Sequence, residues 1–285
     1  MSVDTISQPT IAFIGVGNMA GAIIKGLIQS GYPAERIIGT SRTATKRAQY
    51  TADFGITMLA DNAAAVPLAD MVVLCVKPIQ MQAVIADFVE HIRPEQLYVS
   101  VAAGLELASL QAWLGPIGIV RSMPNTPSQL GAGVTGLIAN ELATSAQKTW
   151  VEAVFASVGT SLWVTDEAHM HTVTALAGSS PAYFFRFLEA MIRNGLAQGL
   201  DEESCRTLAS HAMLGAARMA TELDKSIAQM RIDITSPNGT TEQALLAFES
   251  SDIDQMVDKA MTACADRSKT LASQLAATPN NEGNE

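Results

Sequence analysis

The sequence contains few cysteines and few aromatic residues. Its three cysteines, Cys75, Cys205 and Cys264, are widely spaced and odd in number, which excludes a disulfide framework and a four-thiolate metal site. Its four histidines show no metal-ligand spacing either, so no metal site is predicted. Aromatic residues make up 5% of the chain and alanine is plentiful. This composition favours helices that pack closely through small side chains, in a reducing compartment.

Basic residues and long apolar runs are also scarce. The 18 Lys and Arg residues are outnumbered by 28 Asp and Glu, which gives a net charge of −10 and argues against binding to nucleic acid. No apolar run approaches the roughly 18 residues of a membrane-spanning helix. The N-terminal MSVDTISQPT lacks the basic flank of an export signal. We therefore expect a soluble, cytoplasmic protein that binds neither nucleic acid nor membrane.

The 285 residues, 48% of them hydrophobic, are enough for two globular domains. Up to about Val164, short β-branched runs alternate with amphipathic helical segments, which predicts an α/β fold with a doubly wound, Rossmann-type and mostly parallel sheet. The predicted strands are Ile11–Ile14, Ile37–Ile38, Met71–Val76, Leu97–Val101 and Ile117–Arg121. Helical periodicity then dominates. We predict a dinucleotide-binding domain over residues 1–165 and an all-helical substrate and dimerisation domain over residues 166–285.

A glycine-rich turn follows the first predicted strand. Residues 15–20 fit G-x-G-x-x-G/A, in which Gly15 allows the tight turn and Gly17 lets the backbone approach a pyrophosphate. Ala20 allows close packing of helix on strand. The predicted pyrophosphate site comprises Gly15, Gly17, Asn18, Met19 and Ala20. The alternative is a glycine-rich turn in an α/β domain that binds another ligand.

The end of the second strand indicates which dinucleotide is bound. NAD sites place an acid there for the ribose 2′-hydroxyl, but no acid stands between Glu35 and Asp53. Ser41 and Arg42 offer a hydroxyl and a guanidinium, which suit a 2′-phosphate. We predict NADPH, with NADH as the second candidate. The alternative for Arg42 is a solvated surface arginine.

Three further segments lie at the carboxyl edge of the predicted sheet, where doubly wound folds bind ligands. Small residues at that edge would let a nicotinamide lie against it, and a stiff proline-flanked loop would present polar groups there. The candidate residues are Val76, Lys77, Pro78, Ala102, Ala103, Gly104 and Asn125. Lys77 is equally well explained as a surface lysine at a strand end.

The helical domain contains two polar segments before predicted helices. The first includes Ser179 and Ser180, and the second runs from Ser236 to Glu242. Thr240 and Gln243 resemble a capping box, and the free N–H groups of such a turn form a natural carboxylate site. The alternative is an ordinary helix cap.

Lysine is absent between Lys148 and Lys225. A β-hydroxyacid dehydrogenase is an alternative with the same two-domain plan. Such an enzyme needs a lysine at the start of the long interdomain helix, so the absence of lysine argues against this function. Hydride addition to an electrophilic C=N needs less help from acid–base side chains. A regulator that binds NADP(H) without turnover is an alternative of another class.

Together these segments resemble the pyrroline-5-carboxylate reductase family over nearly the whole chain. The matching motifs are residues 14–20, 76–78, 102–104, 123–127, 178–183 and 236–241. The segments 123–127 and 236–241, in this order and spacing, are specific to the family.

The resemblance implies reduction of 1-pyrroline-5-carboxylate to L-proline by NAD(P)H, the last step of proline biosynthesis. It implies that Asn62 holds the adenosine end and that Gly239, Thr240 and Thr241 hold the substrate carboxylate. The Thr241 hydroxyl would lie near the imine nitrogen, as the catalytic group, and Ser179 and Ser180 are further substrate-binding candidates. Family members are dimers with interwoven helical domains, often assembled into decamers. Helices rich in Ala and Met after residue 165 also predict a homo-oligomer.

The sequence departs from the family pattern around the last motif. Asn238 replaces the first of two glycines, and asparagine tolerates the left-handed backbone conformation that glycine adopts. Ser226-Ile227 replaces a His-Pro pair, and Ile232-Asp233 stands where the family often has an acid first. These departures affect the expected shape of the 224–238 loop and leave the reaction class unchanged.

Overall fold

A computed structural model describes residues 8–276 and contains one eight-stranded sheet. The order across the sheet is β3-β2-β1-β4-β5-β6-β7-β8, and every neighbouring pair is parallel except β6 and β7. The strands are β1 (Ile11–Ile14), β2 (Ile37–Thr40), β3 (Thr57–Leu59), β4 (Met71–Leu74), β5 (Leu97–Ser100), β6 (Gly118–Met123), β7 (Gly133–Ala139) and β8 (Gly159–Trp163). The predicted fold class is confirmed.

Helices cover both faces of the sheet and continue beyond it. They are α1 (Asn18–Gln29), α2 (Ala44–Phe54), α3 (Asn62–Ala65), α4 (Met81–Ala86), α5 (Leu107–Leu114), α6 (Ser145–Ala156), α7 (His169–Val173), α8 (Ser180–Ala197), α9 (Glu202–Glu222), α10 (Ile227–Asp233), α11 (Thr240–Ser250) and α12 (Ile253–Ala276). A π-helical turn spans Thr174–Gly178. Short 3₁₀ helices span Ala34–Arg36, Val66–Leu68, Pro78–Gln80, Val89–His91 and Thr126–Leu130.

The central strands are apolar on both faces because helices bury both faces of a parallel sheet. One core packs Phe13 and Val73 against α1 and α6, and the other packs Ile14 and Leu74 against α4 and α5. The carboxyl ends of β1, β2 and β4 therefore stand at one rigid edge, and this edge positions the candidate site.

Three strands were not predicted. β3 has only three residues, and β8 is an edge strand whose residues alternate between half-buried and exposed. β7 is continuous and mostly buried, but Gly136 breaks the run of apolar side chains in its sequence, and an added Cβ there would lie 2.5 Å from Cγ1 of Val173 in α7. None of the three segments has the continuous apolar run expected of a buried strand, so packing against neighbouring strands and helices decides their structure.

By packing, the chain divides into two compact units. Among the described residues, the first unit comprises residues 8–179 and 264–276, and the second unit is Ser180–Ala263. This division differs from the predicted boundary near residue 165, because α7 packs on β7 and belongs with the sheet. The assignment of functions to residues 1–165 and 166–285 stays a prediction, and the ends of those ranges lie outside the described residues.

Within residues 8–276, no helix is both long enough and apolar enough to cross a membrane. Over the same residues, no three His, Cys, Asp or Glu side chains are grouped so that they could hold a metal ion.

Candidate functional site

A cavity of about 660 Å³ lies in the first unit at the carboxyl ends of β1, β2 and β4. It brings together side chains that are far apart in the sequence. Six of the predicted cofactor residues line it: Gly15, Ser41, Arg42, Asn62, Val76 and Lys77. Asn62, which was assigned only through the family resemblance, is thus placed beside the residues predicted from strand ends.

The glycine turn that follows β1 is hydrogen-bonded to the end of β2. Gly15 has φ of +82°, and a Cβ there would lie 2.4 Å from Cγ1 of Val76, so both its backbone conformation and its space require glycine. Its N–H donates to Oγ1 of Thr40 at 2.9 Å, and the N–H of Val16 donates to the carbonyl of Thr40 at 2.8 Å. Gly17 is the N-cap of α1, and the atom nearest to an added Cβ lies 4.0 Å away. The turn therefore leaves open space before the helix N-terminus, which is where a pyrophosphate binds.

The loop between β2 and α2 supplies cations to the same cavity. Ser41 and Arg42 line it together with Lys46 of α2, whose Nζ donates to the carbonyl of Val16 at 3.2 Å. The first turn of α2 contains no acidic residue. Hydroxyl, guanidinium and ammonium donors around one helix N-terminus fit a phosphate ester. This donor set, together with the space above Gly17, fits NADP(H). One carboxylate, Asp87, lines the cavity beside α4.

Lys46 was not predicted from the sequence. Once α2 is known to begin at Ala44, Lys46 falls in its first turn, beside the loop that carries Arg42. The available signal was therefore the position of the helix start relative to the strand end.

Other predicted cofactor residues do not line this cavity. Ala102 is buried, and its N–H donates to Oγ of Ser100 at 3.3 Å. Gly104 has φ of +79°, and an added Cβ would meet Leu275 of α12 at 3.4 Å. The predicted residues outside the cavity are Gly17, Asn18, Met19, Ala20, Pro78, Ala102, Ala103, Gly104 and Asn125. Their roles in binding the cofactor stay predictions.

Asn125 uses both ends of its amide inside the protein. Its Nδ2 donates to the carbonyl of Ala177 at 3.1 Å, and its Oδ1 accepts from the N–H of Val134 at 3.0 Å. The side chain is 7% exposed. Asn125 thus links its loop to β7 and to the π-helical turn. This structural role was not part of the prediction, which assigned Asn125 to cofactor binding.

Cys75 lines the cavity at the end of β4. Burial raises the pKa of its thiol well above the ordinary range, because the thiolate would lose its hydration. The thiol is therefore neutral and adds no negative charge where phosphates would bind.

An ion pair between a buried arginine and a half-buried glutamate was not predicted from the sequence. The guanidinium of Arg121, on β6, is 2.8 Å from Oε1 of Glu167, and the same oxygen accepts from the N–H of Leu107 at 2.8 Å. The Arg121 side chain is only 3% exposed. One carboxylate therefore joins β6, the start of α5 and the segment before α7. No sequence pattern could have paired residues so far apart.

His171 lies beside this ion pair. Its Nδ1 is 2.9 Å from Oγ of Ser268, and its Nε2 is 3.8 Å from Oε1 of Glu106. Burial, and then the charge of Arg121, lower the pKa of His171 from its ordinary value of 6.5. Folding therefore favours the neutral imidazole.

We expect His171 to contribute to loss of stability in acid. Below pH 6.5 the unfolded chain binds a proton that the folded chain resists, so stability falls as the pH drops toward the lowered pKa. Melting temperatures measured from pH 7.5 to 5 should fall less steeply for His171→Gln than for the wild type. His211→Gln, at an exposed position of α9, is the control for the loss of a histidine side chain. Equal slopes for the wild type and His171→Gln would contradict this expectation.

In the second unit, the predicted carboxylate site lies at the start of α11. Gly239 is the N-cap, Thr240 and Thr241 occupy the first turn, and no side chain caps that turn. Asn238 has φ of +60°, which confirms that asparagine takes the left-handed conformation here. The helix therefore presents first-turn N–H groups beside two threonine hydroxyls.

The predicted capping box at this helix is wrong. The helix begins one residue earlier than the Thr240–Gln243 pattern requires, because Gly239 serves as the N-cap. Glu242 takes the reciprocal position, and its Oε2 accepts from the N–H of Asn238 at 2.8 Å. The hydroxyl of Thr240 is consequently not needed as an N-cap.

Ser179 and Ser180 fall on either side of the division between the units. The thiol of Cys264 donates to Oγ of Ser179 at 3.4 Å within the first unit. Ser180 begins α8 in the second unit. Their predicted contact with the substrate stays a prediction.

The doubly wound sheet, the glycine turn and the cationic cavity define the class, a dinucleotide-binding oxidoreductase. Residues 167–271 match the sequence model described as pyrroline-5-carboxylate reductase dimerisation, and residues 10–104 match the one described as NADP oxidoreductase, coenzyme F420-dependent. The pyrroline-5-carboxylate reductase of Pseudomonas aeruginosa is 45% identical over 271 residues, which cover 95% of this chain and 99% of that protein. The chain belongs to the pyrroline-5-carboxylate reductase family.

Other relatives and solved structures agree with this membership. The pyrroline-5-carboxylate reductase of Pisum sativum is 36% identical, over 92% of this chain and 96% of that protein. The solved pyrroline-5-carboxylate reductase of Coxiella burnetii has a TM-score of 0.90 at 40% identity, over 93% of this chain and 99% of the other. The Plasmodium falciparum enzyme with NADP bound has a TM-score of 0.82 at 25% identity, over 93% and 98%. The predicted family is confirmed.

Proposed function

We propose that this protein reduces 1-pyrroline-5-carboxylate to L-proline with NADPH, in the last step of proline biosynthesis. The observation that carries the proposal is the 45% identity to a pyrroline-5-carboxylate reductase over nearly the full length of both chains. The cationic cavity supports NADPH as the reductant, and NADH is the weaker second cofactor.

In the first unit, the residues around the cavity bind and orient the cofactor. The glycine turn receives the pyrophosphate, Ser41 and Arg42 hold the 2′-phosphate, and Asn62 holds the adenosine end. Val76, Lys77 and Pro78, with Ala102, Ala103 and Gly104, border the nicotinamide. When bound, the reduced nicotinamide supplies a hydride to the carbon of the substrate C=N bond.

In the second unit, the start of α11 binds the substrate. The N–H groups that follow Gly239 point at the substrate carboxylate, and the helix N-terminus favours its negative charge. The Thr241 hydroxyl donates a hydrogen bond to the ring nitrogen. As the hydride converts the C=N bond to C–N, a proton from solvent water completes the amine. Serines 179 and 180 are the second candidate for the carboxylate.

The reaction needs little acid–base help from side chains because the imine is already electrophilic. The lysine-free stretch 149–224 is consistent with this chemistry. A direct test is oxidation of NADPH, followed at 340 nm, on addition of 1-pyrroline-5-carboxylate, with proline identified as the product. Binding of NADP(H) without substrate-dependent oxidation would favour the regulator instead.

We further propose that the protein is a homodimer built through the second unit. Only Cys205, Ala209 and Met230 are buried among the residues of that unit, whereas large apolar side chains such as Phe185 and Leu208 are more than 60% exposed. A helical unit with so small a core needs a partner surface. The dimerisation description of the matching family model supports this assembly.

Sedimentation of the purified protein at micromolar concentration is expected to give the mass of a dimer or of a higher assembly, a decamer included. The physical reason is the apolar surface that would otherwise face water, since each 100 Å² of it contributes about 2.5 kcal/mol when buried. A stable, active monomer would contradict the expectation. We also propose a cytoplasmic location, which agrees with three unpaired cysteines.

A further inference from the structure

Arg47 lies in the first half of α2 and braces the loop that carries Ser41 and Arg42. Its Nη1 donates to the carbonyl of Ser41 at 2.7 Å and to the carbonyl of Arg42 at 2.9 Å. The side chain is half-buried and is not among those that line the cofactor cavity. Arg47 therefore contacts the backbone of the loop without lining the cavity.

The loop has little else to fix it. It contains only three residues between β2 and α2, and Arg42 and Thr43 are exposed. The N–H of Thr43 donates to Oγ of Ser41 at 3.3 Å, and the N–H of Ser41 donates to the carbonyl of Leu59 at 3.1 Å. The two bonds from Arg47 thus fix both carbonyls of the segment that would present a hydroxyl and a guanidinium to a 2′-phosphate.

The surrounding charges favour an anion at this loop. Among the described residues, neither Arg42 nor Lys46 nor Arg47 takes part in an ion pair. Lys46 is also tied, through the carbonyl of Val16, to the glycine turn. Consecutive residues of α2 therefore join this helix to both phosphate-binding segments.

We propose that Arg47 is a positioning residue for cofactor specificity: by bonding the carbonyls of Ser41 and Arg42, it holds the loop in the shape that distinguishes NADP(H) from NAD(H). Pre-organising the loop lowers the ordering cost of binding the 2′-phosphate. NAD(H) has a 2′-hydroxyl in place of this phosphate, so its binding does not depend on the order of the loop. This proposal rests on the proposed function, because it requires that the loop binds the 2′-phosphate.

The test compares three variants by thermal shift with NADP⁺, NAD⁺ and adenosine 2′,5′-bisphosphate. Arg47→Met removes both bonds and the charge, whereas Arg47→Lys keeps the charge and lacks the Nη1 that donates to both carbonyls. Arg36→Met is the matched control, because Nη1 of Arg36 also donates to a carbonyl, that of Gln8 at 2.8 Å, outside the cavity. Melting without ligand reports the structural cost of each change.

For Arg47→Met we expect the Kd of NADP⁺ and of the bisphosphate to rise about 10-fold, as for the loss of one or two hydrogen bonds. The Kd of NAD⁺ should stay within about 2-fold of the wild type, and Arg47→Lys should recover less than half of the loss. Arg36→Met should leave the ratio of the two Kd values unchanged. If Arg47→Met folds poorly, Arg47→Gln, which keeps one donor group, replaces it.

Equal weakening of NADP⁺ and NAD⁺, or unchanged affinity for both, would overturn the inference. Full recovery in Arg47→Lys would overturn it as well, because charge alone would then explain the preference. If NADP⁺ discrimination follows Arg47 but the protein does not reduce 1-pyrroline-5-carboxylate, the inference stands and the proposed function fails.

Discussion

Replacing Thr241 with valine is expected to lower kcat/KM for 1-pyrroline-5-carboxylate about 10- to 100-fold, the scale of one or two lost hydrogen bonds. Valine keeps the shape of threonine and removes the hydroxyl donor. Because hydride attack turns the imine into an amine, a donor beside the nitrogen matters more as charge shifts in the transition state. Steady-state kinetics with both substrates, together with thermal melts, measure the effect. Folding and NADPH affinity should be nearly unchanged.

Thr241 lies inside α11 and is not its N-cap, so a loss of stability and a loss of catalysis can be told apart. Gly239 is the N-cap of α11 and Thr241 lies in the first turn, so Thr241 is not placed as a helix cap. Were it only a cap, its loss would cost about 1 kcal/mol of stability and leave turnover intact. Thr221→Val is a matched control within the second unit, because its hydroxyl donates to the carbonyl of Ala217 inside α9. Unchanged kinetics with a lower melting temperature for Thr241→Val would move the carboxylate site to Ser179 and Ser180.

Replacing Arg42 with alanine is expected to raise the KM for NADPH and to spare NADH. The loss of a charged hydrogen bond to a phosphate costs about 1.5–3 kcal/mol, which is roughly a 10- to 150-fold change. Arg42 is exposed and forms no ion pair with any described residue, so the fold should lose little stability. Initial rates over a range of each cofactor measure the two KM values.

Arg36→Ala is the control for this substitution, because Arg36 ends the 3₁₀ helix before β2 and lies outside the cavity. It should leave the two KM values in their wild-type ratio. An equal loss with NADPH and NADH in Arg42→Ala would show that Arg42 does not read the 2′-phosphate.

Much of the cofactor site could be predicted from local patterns. The turn at Gly15 needs a positive φ and contact with Val76 that only glycine permits, and such a requirement is written in a few consecutive residues. The absence of an acid after β2, and the polar pair Ser41-Arg42, are equally local. Parallel topology then places these strand ends at one edge, so the cavity that joins them follows from the order of the elements.

Other parts of the site required the folded chain. Lys46 and Arg47 acquire their roles only because α2 begins at Ala44 and turns their side chains back toward the loop and the glycine turn. The ion pair of Arg121 with Glu167 joins segments that no spacing rule connects. The N-cap was misjudged because Thr240 and Gly239 are both acceptable caps, and in the structure the residue with the extended N-cap backbone is Gly239.

The sequence by itself determined the doubly wound sheet, the dinucleotide turn, the use of NADP(H) and the family, because each depends on residues that are neighbours in the chain or at the ends of consecutive elements. Tertiary structure decided the strands β3, β7 and β8, the assignment of the end of α12 to the first unit, and the bonds that brace the phosphate-binding loops. These features depend on packing between distant segments, where side-chain volume and hydrogen-bond partners, and not local propensity, set the free energy.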